Sequence, residues 1–167
     1  MRLIADTAAG LLQGNGRAIP LALGRSGAVD TAAKREGDGT TPLGRWPIRT
    51  VLLRPDRIAL PVGLSLPWRW LRPDDGWSDD SADPAYNRPV RHPHPRSAER
   101  LWREDELYDV IVTLGHNDSP PVAGAGSAIF FHCWRDAATT EGCVAIAREE
   151  MLRLLPELRP GDVLEIV

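Results

Sequence analysis

The sequence lacks the features of several specialised protein classes. Its two cysteines, Cys133 and Cys143, are too few for a disulfide-stapled scaffold. No apolar run approaches the roughly 18 residues that a membrane-spanning helix requires, so we expect no transmembrane segment. Twenty Lys and Arg against 23 Asp and Glu leave a net charge of −3, the opposite of the basic footprint of nucleic-acid-binding proteins. We therefore expect no nucleic-acid partner.

The amino terminus also lacks a secretory signal. Asp6 stands where the apolar segment of a signal peptide should build up. The sequence is consistent with a cytoplasmic chain, with a leader that has been removed, or with a true start that lies upstream, and it does not decide among them.

Backbone breakers, in contrast, are abundant. The chain of 167 residues contains 15 glycines and 15 prolines, which favours short strands and structured loops over a helical bundle. Apolar residues at 43% and charged residues at 26% are ordinary for a packed core. We expect one domain over residues 1–167, mainly β, as a sandwich or partly closed barrel with a short C-terminal helix.

Apolar segments at strand spacing predict the individual elements. Pro20 indicates that the strand around it belongs to an edge hairpin, because proline is tolerated mainly at sheet edges. Residues 147–155 show helical spacing and are followed by Pro156. The candidate strands cover residues 3–12 with a turn at Gly10, 19–23, 46–53, 109–114, 127–133 and 163–167.

Residues 54–100 form a long segment rich in Pro, Trp, Asp and Arg, without a sustained period. Such a length is too great for a passive connection in a compact domain. We expect an irregular loop region that folds over the core and carries part of a substrate site, because functional residues concentrate on such loops. A purely structural insertion is the alternative.

The strongest signal for chemistry is a histidine and a cysteine near the end of a predicted strand. Alternation along 127–133 places His132 on the face opposite to Cys133, so we expect Cys133 in the core. Cys143 follows Gly142 just before the predicted helix. A nearby imidazole and backbone N–H groups lower a thiol pKa by roughly 1–5 units, and the N–H groups around Gly142 can receive an oxyanion. The competing interpretation is a buried structural cysteine and a hydrogen-bonded histidine.

Three segments resemble the L,D-transpeptidases, the family with a YkuD-like catalytic domain. Residues 140–144 (TEGCV) resemble the family's S/T-x-G-C-hydrophobic motif. Residues 34–44 resemble its K-x-G-D-x-x-T-P-x-G stretch, and residues 129–132 resemble its histidine-bearing strand. Their order and spacing agree, and the resemblance extends over the whole chain.

The resemblance implies a cofactor-independent acyl transfer on peptidoglycan. Cys143 forms a thioester with a stem peptide, His132 acts as the base, and the backbone carbonyl of Cys133 orients the imidazole. Stem peptides are both donor and acceptor, and the product is a 3→3 cross-link or a 1→3 cross-link that joins L-Ala to diaminopimelate. The resemblance also implies a periplasmic or cell-envelope location.

The sequence departs from the family pattern at three places. Glu141 stands where a histidine commonly precedes the glycine, and Ala145 replaces an Arg or Asn that helps to hold a substrate carboxylate. His132 precedes Cys143 by 11 residues, which is a shorter separation than usual. These departures concern the substrate-holding residues and leave the nucleophile assignment in place.

Several residues are candidates for holding the substrate. Thr140 and Glu141 precede the glycine of the motif. Arg135 or Arg148 is a candidate replacement for the missing charge. His116 follows a different predicted strand, where it either lines the same cleft or has a structural role.

An arginine-rich stretch within the long segment is a further candidate. Arg88 and Arg91 belong to it, and it suits either a basic groove for acidic stems or a solvated surface loop. His92 and His94 lie in the same stretch without a third ligand at matching spacing, so we expect no metal.

Two other functions are open at this point. The first is a hydrolase, an L,D-carboxypeptidase or amidase that forms the same thioester but releases it to water. The second is a non-catalytic cell-wall-binding module, which a thiol that resists a β-lactam or iodoacetamide would favour.

Overall fold

The structure is a computed structural model that describes all 167 residues as 14 short strands and one α-helix. The helix α1 covers Arg148–Leu154, and 3₁₀ turns occupy Thr31–Ala33 and Leu155–Glu157. None of these helices combines the length and apolarity needed to cross a membrane. The strands are β1 (Arg2–Asp6), β2 (Leu11–Gly14), β3 (Arg17–Ala22), β4 (Ala28–Val29), β5 (Thr41–Pro42), β6 (Gly44–Leu53), β7 (Trp68–Trp70), β8 (Asp75–Ser78), β9 (Pro89–Arg91), β10 (Ala98–Arg100), β11 (Val110–Leu114), β12 (Phe130–Cys133), β13 (Val144–Ile146) and β14 (Val163–Ile166).

Eight of the strands close into a barrel. Their hydrogen-bonded order is β11-β12-β13-β3-β2-β1-β14-β6, and β6 pairs back to β11. The ten-residue β6 makes this closure, because its first half pairs with β14 and its second half pairs with β11. The strand β7 also pairs with residues 51–53 of β6, in parallel, and is not part of the closed ring of eight strands. The predicted mainly-β fold is confirmed, and the barrel is fully closed where the sequence leaves a sandwich or a partly closed barrel open.

The strand β3 lies inside the barrel sheet, so the expectation of an edge hairpin is wrong. Residues 17–20 of β3 pair with β2, whereas Leu21 and Ala22 pair with β13. Pro20 lies just before the pairing with β13 begins, so its missing N–H removes no hydrogen bond to that strand.

The barrel interior is apolar, as strand alternation predicts. A cluster of 23 buried apolar residues fills it, with contributions from all eight barrel strands and from α1. Phe131 and Cys133 of β12 point into this cluster. Phe130 and His132 lie on the opposite face, where both rings contact Tyr108. His132 is therefore on the outer surface of the barrel wall.

The segment 54–100 is more regular than the sequence indicates. It contains β7 and a three-stranded antiparallel sheet in the order β10-β8-β9. Each of these strands has only three or four residues, which is too short for a period to be visible in the sequence. Outside these four strands the segment consists of turns and irregular backbone, as the sequence predicts.

Part of this segment, together with residues 101–108 that follow it, covers the outer wall of the barrel, and we call residues 71–108 the covering layer. Trp77 packs edge-on against Phe130, with their ring centroids 5.1 Å apart. A second apolar cluster joins the two layers, and it contains eight buried residues. They are Leu52, Leu71, Leu101, Tyr108, Ile111, Ala128, Phe130 and Cys143. The candidate nucleophile thus lies between the barrel wall and the covering layer.

Candidate active site

A cavity of about 430 Å³ opens between the barrel wall and the covering layer. It brings together Cys143 and His132, which the sequence places at the centre of the chemistry. Its polar lining comes from the loop before β5, from the covering layer and from the barrel wall. These residues are Lys34, Glu36, Asp79, Glu99, Arg103, Tyr108, Ser127, His132, Thr139, Thr140, Glu141 and Cys143.

His132 is held in one orientation at the end of β12. Its Nδ1 lies 2.6 Å from the carbonyl oxygen of Cys133, and its ring stands edge-on to Tyr108 at 5.0 Å. Burial lowers the pKa of His132 to about 4, although the carbonyls of Cys133 and Leu107 oppose this shift. The imidazole is therefore neutral at pH 7. A proton on Nδ1, donated to the carbonyl, leaves the Nε2 lone pair free to accept another.

The turn before Cys143 requires a glycine. Gly142 has a φ of +138°, and a Cβ there would lie 2.8 Å from the Thr40 carbonyl oxygen. The hydroxyl of Thr140 accepts a hydrogen bond from the Gly142 N–H at 3.1 Å and donates one to the Cys143 carbonyl at 2.7 Å. The Gly142 N–H is therefore already engaged, so the structure does not leave it free for an oxyanion.

The thiol of Cys143 is buried and hydrogen-bonded to the backbone of the neighbouring strand. Its Sγ accepts from the Phe130 N–H at 3.3 Å and donates to the Ala128 carbonyl at 3.2 Å. Burial raises the pKa of Cys143 to about 12, and the nearby carboxylate of Glu99 adds to the shift. No hydrogen bond joins the thiol to His132. The expectation of a thiol acidified by the imidazole is therefore wrong for the protein without substrate.

The other cysteine is placed as alternation predicts. Cys133 is buried in the barrel interior, and both cysteines are free thiols. Burial raises the pKa of Cys133 to about 12 as well. The contribution of Cys133 to the cavity is thus its carbonyl oxygen, which orients His132.

The loop at residues 34–44 is organised by one carboxylate. Asp38 accepts hydrogen bonds from the Nζ of Lys34, from the Arg35 N–H at 2.8 Å, and from the N–H and hydroxyl of Thr40 at 2.8 and 2.7 Å. Burial alone would raise the pKa of Asp38, but these donors hold it well below its usual value. Lys34 is only 2% exposed, so Asp38 is the partner of a buried charge. This motif therefore builds one wall of the cavity.

His116 lies in a neighbouring cavity rather than in the one that holds Cys143. That second cavity, of about 480 Å³, shares the side chain of Lys34 with the first. The His116 ring stands edge-on to Trp46 at 4.8 Å, and its buried Nδ1 has no partner. Burial, with Lys34 adding to it, lowers the pKa of His116 to about 4. The expectation that His116 lines the same cleft is wrong.

Three arginines expected at the substrate site lie outside the cavity. Arg88 donates to the Asp118 carbonyl at 2.7 Å, and Arg91 pairs with Asp74 at 2.6 Å. Arg135 is exposed on the loop that follows β12. Of the two alternatives for the arginine-rich stretch, the basic groove is therefore wrong. Arg88 donates to a backbone carbonyl and Arg91 pairs with a carboxylate nearby, so the two guanidinium groups do not converge on one surface.

The remaining motif residues do reach the cavity. Thr140 and Glu141 line it, and the Glu141 carboxylate pairs with Arg25 at 2.9 Å. Arg148, the alternative to Arg135, pairs with Asp109 at 3.2 Å and does not line the cavity.

Sequence reasoning misses the residues that the covering layer contributes. Tyr108 donates its hydroxyl to Glu99 Oε1 at 2.5 Å, and burial raises the pKa of both groups. Arg103 lines the cavity close to them, with its guanidinium 5.4 Å from the Tyr108 ring centroid. No motif marks Glu99, because it lies in a three-residue strand within the segment that shows no period.

The fold and the cavity define the class of protein. It is a closed β-barrel domain that presents a buried thiol and an oriented neutral imidazole in one cavity on its outer wall. The sequence model of the YkuD family, described as the L,D-transpeptidase catalytic domain, matches residues 2–166. The chain therefore belongs to this family.

Two solved structures are similar to the chain. An L,D-transpeptidase from Mycobacterium smegmatis is 11% identical, with a TM-score of 0.48. L,D-transpeptidase 1 from Mycobacterium tuberculosis is 14% identical, with a TM-score of 0.45. Each similarity covers 99% of this chain and 58% of the other, so the chain spans less than two thirds of these relatives. No curated protein sequence matches the chain.

Proposed function

We propose that the protein is a peptidoglycan L,D-transpeptidase with Cys143 as its nucleophile. The observation that carries this proposal is the shared cavity of Cys143 and His132, in which the Cys133 carbonyl fixes the imidazole at 2.6 Å. Membership of the family gives the reaction class. Burial lowers the pKa of His132 to about 4, and a neutral imidazole at pH 7 is the state that a general base requires, which supports this role for His132.

Acylation begins when a stem peptide enters the cavity. The thiol exchanges its hydrogen bond to the Ala128 carbonyl for one to His132 Nε2, and Sγ attacks the peptide carbonyl carbon as its proton moves to the imidazole. The C–N bond breaks, and the proton passes from His132 to the leaving amine. The products are a thioester on Cys143 and a released amine, which is the part of the stem that follows the cut and begins with a D-residue. Because burial raises the pKa of Cys143, we expect the substrate-free protein to hold a thiol rather than a thiolate.

Transfer reverses these proton movements. An acceptor amine gives a proton to His132 and attacks the thioester carbonyl. The C–S bond breaks as the new C–N bond forms, and the sulfur recovers the proton from the imidazole. Every proton and electron pair is accounted for by the two side chains and the substrates, so the reaction uses no cofactor.

The donor bond sets the product. A donor cut between diaminopimelate and D-Ala gives a 3→3 cross-link, and one cut after the first L-Ala gives a 1→3 cross-link to diaminopimelate. Thr140 and Glu141 border the cavity on the side of the thiol and are our candidates for contacts with the donor stem. Because peptidoglycan is the substrate, we place the activity in the cell envelope.

Purified protein incubated with sacculi or isolated stem peptides tests the proposal. Intact-mass spectrometry should show an acyl adduct on Cys143, and muropeptide analysis should show the new cross-link. An adduct that is released only to water would identify a hydrolase, an L,D-carboxypeptidase or amidase. A folded protein that forms no adduct, and whose thiol also resists a β-lactam or iodoacetamide at neutral pH, would favour a non-catalytic wall-binding module.

A pair of histidine variants tests the base. His132→Ala should slow adduct formation by roughly 10²–10⁴-fold, the usual contribution of a positioned general base. His94→Ala is the matched control, because that imidazole pairs with Asp83 at 2.6 Å and does not line the cavity. If both variants slowed adduct formation equally, His132 would not be the general base.

A further inference from the structure

The second cavity, which holds His116, lies next to the reacting thiol. Its volume is about 480 Å³, and it meets the Cys143 cavity at the side chain of Lys34, which lines both. A Cβ at Gly126 would lie 3.0 Å from the Lys34 side chain and 3.2 Å from the His116 ring, so both side chains pack against this backbone. Ala128 follows two residues later, and its carbonyl accepts the Cys143 thiol. A molecule bound at Cys143 therefore has this second cavity as a neighbour.

A buried polar atom of this cavity lacks a partner. His116 is 3% exposed, and its Nδ1 is enclosed without a hydrogen bond. The residue is held by other groups, because its carbonyl accepts from the Asn87 side chain at 3.1 Å and its ring packs edge-on against Trp46. Buried polar groups are nearly always hydrogen-bonded in folded proteins. An imidazole that is positioned but left without a partner indicates that a bound group supplies one.

The charge at this cavity is positive. Two cationic side chains line it, Lys34 and Arg35, and no acid does. Lys34 pairs with Asp38. Asp118, the nearest carboxylate after the lining loop begins, pairs with Arg49 at 2.9 Å. Arg35 pairs with no carboxylate, and its side-chain hydrogen bonds run from Nη1 to two backbone carbonyls at 2.7 and 3.0 Å. One positive charge and the donors on Nε and Nη2 therefore remain free.

We propose that the second cavity binds a carboxylate group of the stem peptide, with Arg35 as its charge partner and His116 as a hydrogen-bond donor. A guanidinium presents paired N–H donors that match the two oxygens of a carboxylate, and a neutral imidazole donates one N–H. The apolar surfaces of Ala32, Trp46 and Val122 suit the carbon atoms next to that carboxylate. A cationic group would be repelled by Arg35.

This inference rests on the proposed function and makes its substrate more specific. The stem peptide carries carboxylates besides the bond that is cut, on D-glutamate and on diaminopimelate. One of them is held on the far side of Lys34 while the reacting carbonyl lies at Cys143. Such an anchor binds substrate and transition state alike, so it lowers the apparent KM and leaves kcat unchanged. Binding at this site forms and breaks no covalent bond.

The first experiment measures binding to a Cys143→Ala protein, in which no thioester can form. The probes are N-acetyl-D-alanine and N-acetyl-D-alaninamide, in which a neutral amide replaces the carboxylate. NMR titration of the histidine ring signals gives the affinity of each probe and the pKa of His116. The acid should bind roughly 10-fold more tightly than the amide. It should also raise the pKa of His116, because a carboxylate beside the ring stabilises the imidazolium.

Arg35→Gln is the sharpest variant, because it removes the free charge from a side chain that lines the second cavity and not the Cys143 cavity. It should weaken binding of the acid roughly 5- to 10-fold and leave the amide unchanged. Arg45→Gln is the matched control, since Arg45 makes the same charge change at a side chain that is 65% exposed and outside both cavities. It should bind both probes like the parent protein.

His116→Phe keeps a ring against Trp46 and removes both ring nitrogens. It should weaken the acid by a similar factor without lowering the free energy of unfolding, because the unpartnered Nδ1 is removed. This variant keeps the proposal testable if Arg35→Gln does not fold. Three results would each overturn the proposal: equal binding of acid and amide, equal losses in Arg35→Gln and Arg45→Gln, or an acid that moves the pKa of His132 instead of His116.

The second experiment separates failure of this proposal from failure of the proposed function. Amidation of the carboxylates of a donor stem should raise the apparent KM for transfer roughly 5- to 10-fold with kcat unchanged, and Arg35→Gln should give one KM for both stems. If the parent protein forms no thioester but the acid binds more tightly than the amide, the reaction is wrong and the carboxylate site stands. If the thioester forms with the same KM for both stems, the carboxylate site is wrong.

Discussion

The barrel interior and the covering layer both exclude water, but they are built from different groups. The interior cluster has 23 apolar residues, and its only titratable group is the Cys133 thiol. The cavity under the covering layer holds a phenol, a carboxylate, an imidazole and a thiol, from Tyr108, Glu99, His132 and Cys143. The barrel therefore supplies a support, and the chemistry is concentrated on its outer wall.

The comparison also shows what burial does to each kind of group. Apolar surface is stabilised by about 25 cal/mol for each Å² removed from water, and it needs no partner. A buried ionisable group instead shifts toward its neutral form. Burial raises the pKa of Cys143 and lowers that of His132, so both are neutral at pH 7. Burying two neutral groups costs little free energy. The cavity under the covering layer can therefore hold the thiol and the imidazole without loss of stability.

The largest expected effect contrasts one cysteine from each region. Cys143→Ala should abolish thioester formation, because it removes the proposed nucleophile from the cavity. Cys133→Ala should retain most activity and lower the free energy of unfolding by about 1 kcal/mol, because it leaves a small void in the barrel interior. Intact-mass spectrometry and urea unfolding measure the two effects. A folded Cys133→Ala protein that formed no thioester would contradict the separation of the two roles.

The next effect tests the ion pair that builds the cavity wall. Asp38→Asn should lower the free energy of unfolding by about 3 kcal/mol, because Lys34 is left as a buried charge without a counter-charge. Adding Lys34→Met to that variant should recover much of the loss, because no charge then remains to be compensated. Urea unfolding of the two single variants and the double variant measures the coupling. Additive effects would show that the pair does not act as a unit.

The sequence predicts the barrel region well because its determinants are local. Alternation in β12 places Phe131 and Cys133 inside and His132 outside, and the structure agrees. The sequence wrongly places the strand of Pro20 at a sheet edge. Its pairing with β13 joins two strands that lie far apart in the chain, so no local pattern reveals it. Local pattern thus gives the strands, whereas the pairing partners come from long-range contacts.

The covering layer is harder to predict for the same reason. Glu99 belongs to a three-residue strand, and only the folded chain brings it beside Cys143 and Tyr108. The arginines around Arg91 look like a basic groove in the sequence, but partners such as Asp74 neutralise them in the fold. The direction of the Cys143 pKa shift also depends on burial, which no short motif encodes.

Lowering the pH should lower the free energy of unfolding through His116, a buried histidine outside the barrel interior. Burial lowers the pKa of His116 from 6.5 to about 4, so the unfolded chain holds more protons between these values. Stability is therefore complete above pH 6.5 and is lost as the pH falls toward 4. Going from pH 7.5 to pH 5 should cost about 2 kcal/mol for this histidine, and His116→Leu should remove that share. Urea unfolding at several pH values measures how the free energy of unfolding depends on pH in the parent protein and in His116→Leu. The same pH dependence in both proteins would contradict a lowered pKa of His116.

The smallest expected effect concerns the outer face of the covering layer. Arg91 pairs with Asp74 at 2.6 Å and Arg96 with Asp80 at 3.4 Å, and neither arginine lines the cavity. The double variant Arg91→Gln/Arg96→Gln should change the apparent KM for a stem peptide by less than about twofold, at low and at moderate salt, because exposed pairs contribute little and are screened. Steady-state transfer assays at two ionic strengths measure this. A salt-dependent rise in KM would mean that acidic stems cross the outer face on their way to Cys143, and the covering layer would then bind substrate on both of its sides.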